Sequence, residues 1–311
     1  MKSCGSSPRL SVANDCVAAS FLCARRLTNA NAPEFWNPEE PTKRAMVSII
    51  IPTYNEATTV EKTLRHLRDL RGNFEVIVAD GESTDGTLHV VESLAASFSQ
   101  PLRCFTGKRH RALQMNQAAK EARGETLIFL HADARLGHDA LEQLRHALAD
   151  ASIVGGNFNL VFDGNDVWSR LFTCVNRLRR RLGIYYGDSA LFVPCRVFQQ
   201  LGGFAPIPIM EDYEFVRRLE RSGRSVCLNS VVRVSDRRWR VQGVLWTLLS
   251  WVWIQGLYSL GVPPARLSRW YRAIRAAPGQ DHQPAKTCRV SSPNRTVERD
   301  ASRSPISSVY P

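Results

Sequence analysis

From residue 47 onward, short apolar runs alternate with stretches whose apolar positions recur every three to four residues. Val47-Ser48-Ile49-Ile50-Ile51 is dense in β-branched residues, as a strand buried on both faces should be. After the turn Pro52-Thr53-Tyr54-Asn55-Glu56, Val60, Leu64, Leu67 and Leu70 fall at helical spacing. Thr58 with Glu61 three residues on has the form of a capping box for that helix. A strand over 75–79, a Gly-rich turn and a helix carrying Val90, Val91, Leu94 and Phe98 come next. A weaker strand over 102–106, a helix over 110–122 and the strand Thr126-Leu127-Ile128-Phe129-Leu130 complete a β-α-β-α-β-α-β run. That order predicts an α/β fold, with a mostly parallel central sheet and helices on both faces.

Right-handed crossovers place the ends of such strands on one edge. Polar residues gather there: Thr53-Tyr54-Asn55-Glu56 after the first strand, Asp80-Gly81 after the second, His131-Ala132-Asp133 after the fourth. Open α/β sheets bind ligands in the crevice beyond those carboxyl ends, so three separate stretches converge on one candidate site.

The 311 residues are 44% hydrophobic and 23% charged, which excludes a disordered or collagen-like chain. Mean hydropathy of -0.23 excludes a polytopic membrane protein. The net charge of +12 (41 Lys and Arg against 29 Asp and Glu) points to a polyanionic partner: nucleic acid, an anionic membrane surface or a phosphorylated ligand. Eight cysteines without a C-x-x-C pair read as reduced thiols of a cytosolic chain. Residues 1–45 lack a sustained period and read as a disordered extension, with Met46 as an alternative start; Val17 to Ala24 is too short and too poorly flanked for a signal peptide. Residues 276–311, rich in Pro, Ser and Arg, read as a disordered tail, leaving a folded body over 46–275 with no internal repeat.

Dinucleotide-binding, P-loop, nucleophile-elbow and H-E-x-x-H fingerprints are absent. The stretch Val47 to Glu56 (V-S-I-I-I-P-T-Y-N-E), the run Asp80 to Thr87, the triplet His131-Ala132-Asp133 and the pair Glu211-Asp212 together resemble the family-two glycosyltransferases. The resemblance spans roughly 46–275. At finer grain, Leu130 to Asp133, Tyr186 to Asp188 and Met210 to Asp212 are similar to a bacterial subgroup associated with radical-SAM and selenodomain genes, with arsenosugar or diaponeurosporenoate acceptors.

The resemblance implies a single GT-A-type, Rossmann-like domain followed by a C-terminal apolar helix. Within it, 46–133 would form the nucleotide-sugar half, 134–243 the acceptor half, and 244–262 the helix. Pro52, Tyr54 and Glu56 would line the base and ribose, Tyr54 by contact or by packing alone, and Asp80 would meet the uracil or ribose. Arg111, with Gln114 and Asn116, would approach the nucleotide, although an exposed helix face accounts for them equally. Asp133 would hold a divalent cation, Mn²⁺ or Mg²⁺, with His131, which stands where the family has an Asp, as a second ligand or as support. Asp212, beside Glu211, would be the general base, and Tyr186 and Asp188 would shape the acceptor pocket. Asp85 reads instead as the N-cap of the following helix.

Arg237-Arg238-Trp239 is reminiscent of the family's Arg-Trp element, but the longer motif of processive members is missing, so one sugar per turnover is expected. The uncharged stretch Val244 to Val262, with three Trp, reads as an interfacial, core or spanning helix. The Arg runs 177–181 and 217–224 read as solvated helix faces or contacts to anionic lipid or diphosphate. The resemblance thus implies a hexosyltransferase using a UDP-sugar and a small or lipid-like acceptor. It would be cytoplasmic and peripheral on the inner face of the cell membrane, with no nucleic-acid partner. The rivals are a nucleotidyltransferase and a non-catalytic nucleotide-sugar- or lipid-binding relative.

Overall fold

Strand β1 (Val47–Thr53) is the axis of the sheet, because the chain leaves it in one direction and later returns to its other side. In the computed structural model, which describes residues 46–164, 166–181, 183–235 and 243–275, β1 is followed by α1 (Ala57–Arg68), β2 (Phe74–Asp80), α2 (Thr87–Ala95) and β3 (Leu102–Thr106). Then come α3 (Arg111–Lys120), β4 (Thr126–Phe129), β5 (Ala134–Leu136), α4 (Ala140–Leu148), β6 (Ile153–Phe162) and α5 (Val167–Arg181). A 3₁₀ turn (Gly187–Ser189), β7 (Leu191–Pro194), α6 (Cys195–Gln200), α7 (Glu211–Ser222) and β8 (Arg224–Val234) complete the sheet. Two helices follow, α8 (Val244–Ser259) and α9 (Pro264–Arg275).

The sheet order is β3-β2-β1-β4-β7-β6-β8-β5. β2 lies against one edge of β1 and β4 against the other, both parallel, so the direction of winding reverses at β1. A crevice opens at such a reversal, beyond the strands' carboxyl ends. The mostly parallel sheet expected from the sequence holds from β3 to β4; beyond it β4–β7, β6–β7 and β5–β8 are antiparallel, and the sheet is mixed.

Side-chain alternation divides the core into two layers. Ile49, Ile51, Val76 and Val78 face Val60, Leu64 and Leu67 of α1, Val91 of α2 and Phe172 of α5. Ile50, Ile77 and Ala79 face Ala112 and Met115 of α3, Phe198 of α6 and Phe215 and Leu219 of α7. Ile49, Ile50 and Ile51 have no exposed surface, as their continuous apolar run requires.

The start of α1 differs from the sequence expectation. Its N-cap is Glu56, without a side-chain capping bond, and Glu61 pairs with Arg65 one turn on at 2.8 Å. The acceptor for the orphan N–H of Ala57 is Asp85 Oδ2 at 3.0 Å, while Asp85 Oδ1 accepts from the Thr87 N–H at 3.0 Å. One carboxylate therefore serves the first turns of both α1 and α2. At the opposite end of the sheet the fully buried Glu75 accepts from Ser48 Oγ, the Arg123 N–H and Arg103 Nη2, each at 2.6 Å. Burial raises its carboxyl, but these donors outweigh it and hold the group below the usual carboxylate range. The expected extensions 1–45 and 276–311 and the element Arg237-Arg238-Trp239 lie outside the described residues.

Candidate active site

The loop after β1 and the loop after β2 are laced together. Asn55 has a left-handed φ of 53°; its N–H donates to Ser83 Oγ and its Oδ1 accepts from the Thr84 N–H, each at 2.9 Å. Asp80 has no exposed surface; its carboxylate accepts from Thr53 Oγ1 at 2.9 Å, Ser83 N at 2.8 Å and Ser83 Oγ at 2.6 Å. In this arrangement Asp80 braces the loop from beneath. Pro52, Tyr54 and Glu56, at the end of β1 and in the loop after it, are half-buried.

Three polar residues of α3 divide their work. Buried Gln114 donates to the carbonyls of Thr53 at 3.0 Å and Ala79 at 2.8 Å, joining the tips of β1 and β2. Asn116 clasps the backbone of Phe204, donating to its carbonyl and accepting from its N–H, both at 2.8 Å. Of the three, Arg111 extends toward the acidic pair. Its Nε lies 3.0 Å from Glu211 Oε1 and its Nη2 lies 3.1 Å from Asp212 Oδ2.

Glu211 and Asp212 open α7, directly after Met210, whose φ is 68°. Asp212 Oδ2 also accepts from the Gly187 N–H at 2.9 Å, and Oδ1 from the Tyr213 N–H at 2.7 Å. Burial pushes both carboxyls up. For Asp212 the Arg111 guanidinium and the two N–H donors prevail and hold it below the usual range, whereas Glu211 is left above its own. Two neighbouring acids thus have their pKa values driven apart. In turn the two carboxylates keep Arg111 charged against the cost of its burial.

A side chain at Gly187 would press on this contact: a Cβ there would lie 2.7 Å from Arg111 Nη2 and 3.1 Å from Asp212 Oδ2. Tyr186 does not stand open beside it. Its hydroxyl accepts from Arg179 and donates to Gln255 of α8, and its ring lies 5.6 Å from that of Tyr213. Asp188 is half-buried in the same 3₁₀ turn.

A pocket lined by Pro52, Arg111, His131, Gly187 and Asp212 brings the end of β1, the start of α3, the end of β4, the 3₁₀ turn and the start of α7 together. Asp133, half-buried, lies two residues beyond His131. Among the described residues, no group of three or more His, Cys, Asp or Glu side chains is placed to hold a metal ion. One carboxylate and one imidazole at a strand end instead suit a hard cation that takes its remaining oxygens from ligand phosphates and water.

Two features escaped the sequence reading. Arg109 lies with its guanidinium 3.7 Å from the centre of the Tyr54 ring, capping the β1 loop from the β3–α3 loop. Its signal was the basic run Lys108-Arg109-His110-Arg111 immediately after Gly107. The second is strain. Among the described residues, the non-glycine positions with positive φ are Asn55, Glu82, Ala190 and Met210, all in loops bordering this edge. Such backbone is costly and collects at functional sites.

Winding, crevice and opposed acids define an open α/β protein with a candidate ligand site at the switch point. Residues 48–200 match the sequence model of the family described as Glycosyl transferase family 2, and the chain carries a domain of that family. An uncharacterized glycosyltransferase, YfnE, of Bacillus subtilis is 39% identical over 94 residues, 30% of this chain and 24% of the relative. A dolichyl N-acetyl-glucosaminyl phosphate diacetamido-dideoxy-glucuronosyltransferase of Methanococcus voltae is 33% identical over 101 residues, 31% of this chain and 32% of the relative. The matches thus span about a quarter to a third of those relatives.

Among solved structures, a mannosyltransferase of Pyrobaculum calidifontis in complex with GDP-Man and Mn²⁺ aligns with a TM-score of 0.53 at 22% identity, covering 76% of this chain and 72% of that one. TarS of S. aureus with UDP-GlcNAc gives 0.52 at 20%, covering 61% and 58%. These likenesses establish a GT-A-like fold.

Proposed function

We propose that the protein transfers a sugar from a nucleotide-sugar to an acceptor hydroxyl, with inversion and one sugar per turnover. The observation that carries this reading is the convergence of Pro52, Arg111, His131, Gly187 and Asp212 on one pocket at the switch point. The donor's base and ribose lie along Pro52, Tyr54 and Glu56, with Asp80 and Gln114 holding that ledge in place. A divalent cation would be held by Asp133 and His131, and when bound it offsets the charge growing on the leaving diphosphate. The imidazole favours Mn²⁺ over Mg²⁺.

Asp212 takes the acceptor's proton. Its depressed pKa keeps it ionised at neutral pH, and the hydrogen bonds of Gly187 and Tyr213 fix its orientation. The acceptor oxygen forms its bond to the anomeric carbon as the bond from that carbon to the diphosphate oxygen breaks. The pair of electrons leaves with the nucleoside diphosphate and the proton passes to Asp212. Arg111, poised between the carboxylates and the crevice, offers a guanidinium to that diphosphate.

The donor is read as a UDP-sugar and the acceptor as small or lipid-like, with the enzyme working peripherally on the inner face of the membrane. Relatives named for dolichyl-linked acceptors support the lipid-like reading. The test is thermal shift of the full chain against UDP, GDP, CDP and UDP-sugars with and without Mn²⁺, followed by donor hydrolysis. A ligand at about 100 times its Kd adds about 2.7 kcal/mol, readily visible in Tm. A Mn²⁺-dependent nucleotide shift lost in Asp133→Ala, with hydrolysis lost in Asp212→Asn, is expected. Silence toward every nucleotide refutes the reading; binding with no turnover points to a non-catalytic relative.

A further inference from the structure

Helix α8 contains no charged residue, yet one whole side of it faces solvent. Trp246, Leu249 and Trp253 are 48, 53 and 59% exposed and fall along one row of the helix, and Leu260, just past its end, is 82% exposed. The opposite side is packed: Trp251 meets Phe172 of α5 with ring centres 5.4 Å apart, and Ile254 is buried against the cluster around Met210 and Tyr213. A helix apolar on every side belongs in a core or in lipid. This one is half in a core.

Its neighbour α5 repeats the pattern with charge added. Val167, Leu171 and Leu178 are 74, 43 and 59% exposed and share one row, with Trp168 (49%) at its edge. At 100° per residue, Arg170, Arg177 and Arg181 form the adjacent row, and all three are exposed. Among the described residues none of the three is paired with a carboxylate, whereas Arg180 of the same helix is paired with Glu220. On α9, Trp270 (42% exposed) is flanked by exposed Arg266 and Arg269. An apolar stripe rich in Trp and bordered by arginines is complementary to a bilayer surface, where the rings enter the headgroup boundary and the guanidinium groups meet lipid phosphates.

No helix of the described residues is long and apolar enough to cross a membrane. The 16 residues of α8 extend about 24 Å, short of the roughly 30 Å of hydrocarbon.

We propose that the exposed faces of α5 and α8, two helices that meet at Phe172 and Trp251, form a docking surface for an anionic phospholipid bilayer, on which the protein rests without spanning it. The surface is joined to the candidate site: Gln255 of α8 accepts from Tyr186, whose next residue, Gly187, holds Asp212. This deepens the reading of a membrane-peripheral enzyme with a lipid-like acceptor and rests on it for its biological sense. Its test needs neither donor nor acceptor, so the two readings fail separately.

The experiment is flotation of the full chain with vesicles of phosphatidylglycerol and phosphatidylcholine, mixed or phosphatidylcholine alone, together with quenching of Trp fluorescence by bromine-labelled lipid. Expected are binding to the anionic vesicles, quenching, and a loss of at least about tenfold in binding for two variants. One is Arg170→Glu/Arg177→Glu/Arg181→Glu, whose loss mimics high salt; the other is Leu249→Gln/Trp253→Gln. All these positions are exposed, so an unchanged Tm checks that the variants fold. Absence of binding, binding indifferent to both variants, or a dimer that hides the stripe and dissolves only in Leu249→Gln/Trp253→Gln would each overturn the proposal.

Discussion

Arg111 Nη2 stands 3.1 Å from Asp212 Oδ2, although the two residues are 101 positions apart in the chain. The contact makes the electrostatic state of the acidic pair depend on a side chain from the other half of the sheet. Removing the guanidinium takes away the strongest influence opposing burial, so the Asp212 carboxyl must rise. We expect Arg111→Gln to move the acidic limb of the pH–rate profile upward in pH and to lower turnover by about 10–100-fold, the loss of one charged contact of about 1.5–3 kcal/mol. A pH profile of donor hydrolysis checks this. An unmoved acidic limb means that Asp212 is not the group being titrated.

Gly187→Ala tests the same contact by steric means. The added methyl lies 2.7 Å from Arg111 Nη2, and the guanidinium is the flexible partner that must yield. We expect kcat to fall by tenfold or more, while Tm drops by only a few degrees, consistent with an overpacking cost of about 1–3 kcal/mol. Parallel calorimetry and activity separate the two effects.

Asp85→Ala removes one acceptor from two helices. Ala57 N and Thr87 N lose their partners together, and a cap is worth about 1 kcal/mol each. Chemical denaturation should show a loss of about 2 kcal/mol, with Asp85→Asn recovering part of it. A loss below about 0.5 kcal/mol would mean that water replaces the carboxylate.

Glu75 predicts a stability change at acid pH. Its folded pKa is depressed, so its contribution is fully present above the unfolded carboxylate value and disappears as pH falls through the folded one. Glu75→Gln should cost about 3 kcal/mol at pH 7, the low end for a broken buried pair because Arg103 keeps some water contact. The cost should shrink on acidification. Urea midpoints at pH 7 and pH 3 measure both.

The part of the fold from β1 to β4 was readable because its signals are local. Apolar runs and helical spacing located β1 to β4 within a residue or two, and the strand ends marked the crevice. The part from β5 to β8 depends on distant partners. β7 is a four-residue strand defined by pairing with β4 and β6, and β8 lies parallel to β6 only through a crossover that local periodicity does not report. The capping box at Thr58 failed for the same reason, since a carboxylate 28 residues away had already met the helix's need. Asp80 and Asn116 carry the polar character of ligand contacts and also tie neighbouring loops together, a role that no spacing rule separates from binding. Arg111 and Arg109 belong to one basic run, and only the fold shows that one meets the acids and the other a tyrosine.

The place of Arg111 also bears on how such a protein can be cut and recombined. The family match ends at residue 200, before Glu211 and Asp212 and before β8. A fragment trimmed there would deprive Arg111 of both acids of the pair and strip β6 of its partner along one whole flank, inviting self-association. A chimera that joins the half from β1 to β4 to a foreign second half must import an acidic pair set to the reach of one guanidinium. The two halves are exchangeable only as a matched lock, with Arg111 as the tongue between them.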